Sequence, residues 1–319
     1  MGDQFAKAMQ PRQIPTNGAT DVSLAAYGTE LYLIYTGFGD PLAVSATTLI
    51  WTTIILPTWQ DWPTANWMEG NEFGTSEFAP WITASQDPWL TLIAQSETGG
   101  FNLGCQTYKG YAAWLGGIPD VPGNTSQGGA AAYYNGKLWV AWRGIDPDPQ
   151  VYLSVYGALP TPHGRPPIFA WSGAVPVTNA TSSNSPALAV CNGSLYLAWK
   201  GAGNDMRIFY STYDGAFSQP RVVPGAQTGT APMLCAQSPT GPLYCCWSGA
   251  AGGGAPGFNC SQFGPGPDSP APVWSGPTII NGSVTNARPA MAFCGGAAYV
   301  AWADPDGSMY WGLFNAMRS

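Results

Sequence analysis

From Ser185 to Gly201 the chain reads SPALAVCNGSLYLAWKG: two short apolar runs joined by Asn-Gly. Short β-prone runs around an Asn-Gly pair predict a hairpin with a two-residue turn. The pattern returns as RPAMAFCGGAAYVAWAD (Arg288 to Asp304), AAAYYNGKLWVAWRG (Ala130 to Gly144), APMLCAQSPTGPLYCCWSG (Ala231 to Gly249) and VSLAAYGTELYLIYTG (Val22 to Gly37). A degraded copy, APWITASQDPWLTLIAQ, runs from Ala79 to Gln95. A third strand follows each hairpin: IFYSTYDG from Ile208, LIWTTI from Leu49, VYLSVYG from Val151, MYWGLFN from Met309 and LGCQTYKG from Leu103. A fourth opens on an aromatic followed by small residues: FSQPRVVPG from Phe217, WSGAVPV from Trp171, WSGPTII from Trp274 and WLGGIPDVP from Trp114.

The copies begin near positions 22, 79, 130, 186, 231 and 289, giving six units of 45 to 58 residues. Repeats of this length, each a four-stranded antiparallel sheet, cannot bury both faces alone and pack around a central axis. The expected fold is all-β, a six-bladed β-propeller forming a single domain over residues 1–319. The last unit runs out at Ser319 after its third strand, and the missing strand stands at the other terminus. Gln10-Pro11-Arg12-Gln13-Ile14-Pro15 mirrors Gln219-Pro220-Arg221-Val222-Val223-Pro224. The N-terminal strand is therefore expected to pair into the last blade and close the ring, removing an exposed edge.

In this fold the loops from strand two to three share a face with the loops that lead to the next blade. Side chains alternate along a strand, so in LYLAWK Leu195, Leu197 and Trp199 point one way and Tyr196, Ala198 and Lys200 the other. Trp142, Trp199, Trp247 and Trp302 share one repeat position. Each reads either as a packing wedge between blades or as a flat platform at the rim, against which the C–H face of a sugar can stack. The loops after strand two carry Asp40, Glu97, Asp146 with Asp148, Asp205, and Asp304 with Asp306. Aspartate forms turns by bonding its own backbone; the other reading is carboxylates that accept from hydroxyls while Arg143, Lys200 or Arg207 donate. An insertion in the first unit, Thr58 to Phe78, holds Trp62, Trp67, Glu69, Glu72 and Phe73 and reads as a lid, a partner surface or a plug. The Pro-rich segments Ala158 to Pro167 and Gly264 to Pro272 read as rigid connections on the opposite face.

Composition narrows the chemistry. Charged residues make up 9% of the 319, the net charge is −7 and no basic run occurs, so no nucleic-acid footprint is expected. No window approaches the length of a membrane span. The single histidine, His163, makes a Ser–His–Asp triad and a His-rich zinc site poor readings. The DPDG run at Asp304 to Gly307 lacks the other ligands of a calcium loop, and neither a Walker pattern nor a strand-to-helix GxGxxG occurs. Neither metal nor cofactor is expected. The odd count of seven cysteines does not read as a disulfide framework; Cys191 and Cys294 are equivalent, Cys235, Cys245 and Cys246 fall in predicted strands, and all read as small buried hydrophobes. MGDQFAKAMQPRQIP lacks a signal-peptide core, which predicts a cytoplasmic or non-classically secreted protein. Sequons at Asn124, Asn179, Asn192, Asn259 and Asn281 pull the other way.

The pattern P-A-L-A-x-x-N-G-x-L-Y-x-A-W-K-G followed by I-F-Y-S-T-Y-D-G resembles the repeats of bacterial and fungal β-propeller lectins, over Gln10 to Asn315. The resemblance implies shallow monosaccharide sites between blades, combining an aromatic ring with polar and basic residues. Carried onto this chain, the candidates are Trp199, Lys200, Asp205 and Arg207 in the fourth unit, Trp142, Arg143 and Asp146 in the third, and Trp302 and Asp304 in the sixth, where Ala303 replaces the base. The fifth unit, Trp247-Ser248-Gly249, lacks both charges. The leading expectation is a multivalent lectin whose partners are glycans or glycoproteins. One alternative is an assembly propeller that self-associates as a homo-oligomer or holds a partner protein. Another is a glycoside hydrolase, which needs a carboxylate pair about 5–10 Å apart.

Overall fold

The computed structural model describes residues 12–14, 19–27, 30–38, 48–55, 71–75, 80–84, 90–95, 101–108, 118–159, 166–249, 257–266, 269–280, 283 and 285–314. Most of the Thr58 to Phe78 insertion, Asp40, Glu97, His163, Asn281 and the first four residues, 114–117, of the strand expected from Trp114 lie outside the described residues.

The chain is all-β and forms a β-propeller. Each expected hairpin is present, and the turn residues explain why. Asn135-Gly136 and Asn192-Gly193 both have positive φ at each position (49° and 71°), and Gly295-Gly296 follows suit at 55° and 81°. This is the turn whose twist matches that of the flanking strands. Five sheets hold four or five strands, and the sheet built from Trp81–Ala84, Leu90–Gln95 and Leu103–Tyr108 holds three among the described residues. The innermost strands, in chain order, are Ala19–Tyr27, Trp81–Ala84, Gly129–Tyr134, Ala187–Cys191, Met233–Ala236 and Ala290–Cys294. Each packs beside the next, and Ala290–Cys294 also packs beside Ala19–Tyr27. All six line a cavity of about 270 Å³.

Arg12–Ile14 pairs antiparallel with Met309–Leu313, with Arg12 opposite Trp311 and Gln13 opposite Tyr310. In the fourth sheet Arg221 lies opposite Tyr210 and Val222 opposite Phe209. The N-terminal segment thus has the register of an ordinary fourth strand.

The fourth strand is broken after its aromatic in a repeated way. Ser172, Ser218 and Ser275 each place a hydroxyl on the backbone N–H of the third strand, at Val155, Thr212 and Gln262. Their own N–H groups return to Val155, Thr212 and Gln262 carbonyls. The small residue after the aromatic therefore absorbs an irregularity that would otherwise leave donors unpaired. Second strands also depart from simple alternation. LYLAWK is buried at every position, because neighbouring sheets cover both faces of Ser194–Lys200.

Candidate functional site

The third, fourth and sixth sheets share one cross-strand row. Trp142 lies opposite Tyr152, Trp199 opposite Phe209, and Trp302 opposite Tyr310. The rings stack with centroids 6.0, 6.0 and 5.9 Å apart and planes within 21°. Trp142, Trp199 and Trp302 are 1%, 2% and 1% exposed. That burial corrects the platform reading: the indoles are packing wedges, and a ligand on the rim has no access to their faces. The half-buried partners Tyr152, Phe209 and Tyr310 lie nearer the surface in each row. Sequence reasoning did not single these out, although each occupies a fixed position in the third strand.

The loops after strand two begin alike. The N–H groups of Gly144, Gly201 and Gly249 donate to Gln150, Arg207 and Gly257, and that of Asp304 to Ser308. Asp148, Asp205 and Asp306 then each accept from the backbone N–H two residues on, at Gln150, Arg207 and Ser308. The turn-forming reading of these aspartates is thus realised. It also shifts the equivalences: Asp205 corresponds to Asp148 and Asp306, not to Asp146 and Asp304. The glycine at the loop entrance has a steric reason, since a Cβ on Gly201 would stand 2.6 Å from Asp205 Cγ.

The remaining valences differ from loop to loop. Asp205 presents both oxygens to Arg207, at 2.9 Å from Nε and 2.7 Å from Nη2. Those bonds hold the Asp205 carboxyl below the usual carboxylate range. The guanidinium lies 5.0 Å from the Phe209 ring centroid, and its side chain is 57% exposed. In the third sheet Asp146 bonds Arg143 and the Ser126 hydroxyl, which likewise lower its pKa. Its side chain is 63% exposed, whereas Arg143 is buried. In the sixth, Trp302 Nε1 donates to Asp304 at 3.0 Å, and partial burial raises the Asp304 pKa.

Arg143 and Lys200 meet at one crossing. Arg143 Nε donates to Ser182 O, and Lys200 Nζ donates to Ser183 Oγ, Gly201 O and Gly203 O. Burial pushes the Lys200 amine down. Both cations clamp the segment that passes from the third sheet to the fourth. A hydroxyl does the same work further on: Ser248 Oγ lies 2.7 Å from Thr230 Oγ1, and Thr285 Oγ1 donates to Ala303 O at 2.7 Å. Thr125, Ser182, Thr228 and Thr285, all fully buried, accept the N–H two residues on and so turn the chain into the innermost strands of the third to sixth sheets. Their regular recurrence was the signal the sequence offered for these crossings.

A second cluster stands where the innermost strands begin. Arg288 occupies the place of Ser185 in the repeat and is 1% exposed. Its Nη2 donates to the carbonyls of Val22 and Pro80, and its guanidinium lies 5.1 Å from the Trp81 ring centroid. Among the described residues, Nε and Nη1 have no hydrogen-bond partner. Asp21 faces this cation. Enclosure of its carboxyl raises the Asp21 pKa, and the charge of Arg288 offsets part of that rise. A basic residue where another repeat has serine was the sequence signal for this cluster. Among the described residues, no helix is long and apolar enough to cross a membrane, and no group of three or more His, Cys, Asp or Glu is placed to hold a metal.

No protein-family model and no curated relative matches this chain. Solved structures match it through fold. Aleuria aurantia lectin in complex with alpha-methyl-L-fucoside is 12% identical, with a TM-score of 0.60 over 97% of this chain and 95% of that one. A triple arginine-to-alanine mutant of AofleA from Arthrobotrys oligospora is 10% identical, with a TM-score of 0.62 over 96% and 87%. The RS223 β-xylosidase is 11% identical, with a TM-score of 0.50 over 84% and 98%. At these identities the likeness establishes the propeller and nothing finer.

Proposed function

We propose that the chain is a carbohydrate-binding propeller. Its six sheets are six blades of one ring, the Arg12–Ile14 strand closes that ring, and shallow sugar sites lie between blades on the loop face. The observation that carries this reading is the Asp205–Arg207 pair, an exposed guanidinium fork against a carboxylate and the Phe209 ring. Vicinal sugar hydroxyls need an acceptor and a donor side by side, and the C–H face of the ring needs an apolar neighbour. Arg143 with Asp146, and Asp304, supply reduced versions at the third and sixth sheets. Trp142, Trp199, Trp302 and Lys200 act behind these groups, fixing the rings and the loop that present them. Each site is weak alone, and copies around a ring raise avidity on a glycan-coated surface. The likeness to a fucoside-bound lectin supports this reading.

Binding of the purified protein to a glycan array, competed by a soluble monosaccharide, tests it. Competable binding to one terminal sugar is expected. No binding by folded protein overturns it and moves the weight to self-assembly.

One observation favours a second reading, glycoside hydrolysis. Burial raises the Asp21 pKa in the direction that suits a general acid, and the carboxyl stands beside the buried Arg288 where the innermost strands begin. Release of nitrophenol from aryl glycosides, abolished by Asp21→Asn, is its expected signature.

A further inference from the structure

The fifth sheet departs from its neighbours at one cross-strand pair. The third, fourth and sixth sheets place Ala141 opposite Leu153, Ala198 opposite Tyr210 and Ala301 opposite Trp311. At the same place the fifth sheet sets Cys246 opposite Cys260. Both are buried, and their Sγ atoms are 3.1 Å apart. The register is favourable too. Gly249 N–H donates to Gly257 O, which makes that pair a hydrogen-bonded one. Alternation along an antiparallel ladder then makes Cys246 and Cys260 a non-hydrogen-bonded pair. In such pairs the Cα atoms lie about 4.5 Å apart and the side chains lean together, inside the range of about 4.4–6.8 Å that disulfides span.

We propose that Cys246 and Cys260 are a site of oxidation and form a cross-strand disulfide within the fifth sheet. The oxidant is a small disulfide such as oxidised glutathione. One cysteine thiolate attacks a glutathione sulfur, the mixed disulfide forms and a glutathione thiolate leaves. The second cysteine thiolate then attacks the protein-side sulfur and expels the other glutathione. Two protein S–H bonds are lost, one S–S bond is made, and the oxidant takes up two electrons and two protons. In the closed sheet neither neighbouring cysteine stands opposite this pair. Cys245 points to the opposite face and lies across from Ser261, while Cys235 lies across from Tyr244. Burial holds the Cys246 thiol in its protonated form, so exchange takes place while the strands are still open during folding. Once the sheet has closed, the same burial shields the bond.

The experiment refolds the reduced, denatured full-length chain in a glutathione redox buffer or in dithiothreitol. It is then quenched with N-ethylmaleimide under denaturing conditions, and the intact mass is read. The dithiothreitol sample is expected to carry seven adducts, one per cysteine, and the oxidised sample two fewer. Cys246→Ala and Cys260→Ala are expected to keep every remaining thiol reactive, while Cys245→Ala still loses two. Cys246→Ala installs the residue found at Ala141, Ala198 and Ala301, and circular dichroism checks its fold. Peptic peptide mapping of the oxidised wild-type chain gives the linked pair without any variant. Seven adducts on the folded, oxidised chain, or a linked pair other than Cys246 with Cys260, overturns the proposal.

Discussion

The fourth and fifth sheets are built on the same frame, and only one of them carries rim chemistry. Trp199 and Trp247 hold the same place and are each 2% exposed. Across the strand, Trp199 meets Phe209 and Trp247 meets Asn259. One position on, Lys200 clamps Ser183, and Ser248 clamps Thr230 with a hydroxyl alone. Where the fourth sheet begins its third strand near Arg207, the fifth has Gly257. The indole and the clamp therefore belong to the scaffold, and the Asp205–Arg207 pair is added to it. A residue shared by both sheets reports packing; a residue present in one reports what that sheet does.

The largest effect should come from the shared indoles. Trp199→Ala and Trp247→Ala are each expected to cost about 3–5 kcal/mol, because each empties a buried, fully packed volume. Guanidinium unfolding measures both, and a large cost at Trp199 with none at Trp247 would break the claim of a common frame. Gly201→Ala comes next, at about 1–3 kcal/mol, since the new methyl forces Asp205 and its backbone aside. Asn259→Phe should go the other way, restoring the stacked row in the fifth sheet for about 0.5–1.5 kcal/mol of stability, with no gain in sugar binding.

Two aspartates sharpen the comparison through pH. Asp205 has its pKa lowered by Arg207, so its contribution is present above the unfolded value and lost as pH falls through the folded one. Asp21 has its pKa raised, so the folded state binds the extra proton first, and stability rises as pH falls between the raised folded value and the unfolded one. Denaturation midpoints measured across the acid range are expected to shift in opposite senses in Asp205→Asn and Asp21→Asn. At neutral pH, Asp21→Asn is expected to be the more stable of the two.

The repeat and the hairpins were legible because Asn-Gly turns are local in sequence, and the N-terminal strand was legible because Arg12–Pro15 copies the pattern of Arg221–Pro224. What lay beyond reach was non-local. Alternation could not say which side of Ser194–Lys200 is buried, because neighbouring sheets bury both. The equivalence of Asp205 with Asp148 was obscured by Asp146, two residues earlier, and only the shared backbone bond decides between them. The Arg288 cluster depends on Val22 and Pro80, far away in the chain. Cys260 is one strand away from Cys246, and their meeting depends on register.

The central claim is that sugar recognition resides in the exposed Asp205–Arg207 pair and not in the indole beneath it. The most direct measurement is glycan-array binding of wild type beside a Asp205→Ala/Arg207→Ala double variant, with matched circular dichroism. Arg207 is exposed and Asp205 lies on a loop, so the variant is expected to fold at a modest cost in stability, which the circular dichroism checks. The account predicts competable binding by wild type and at least about a tenfold loss in the variant, the order expected when charge-assisted hydrogen bonds are removed. Unchanged binding by the folded variant would contradict it.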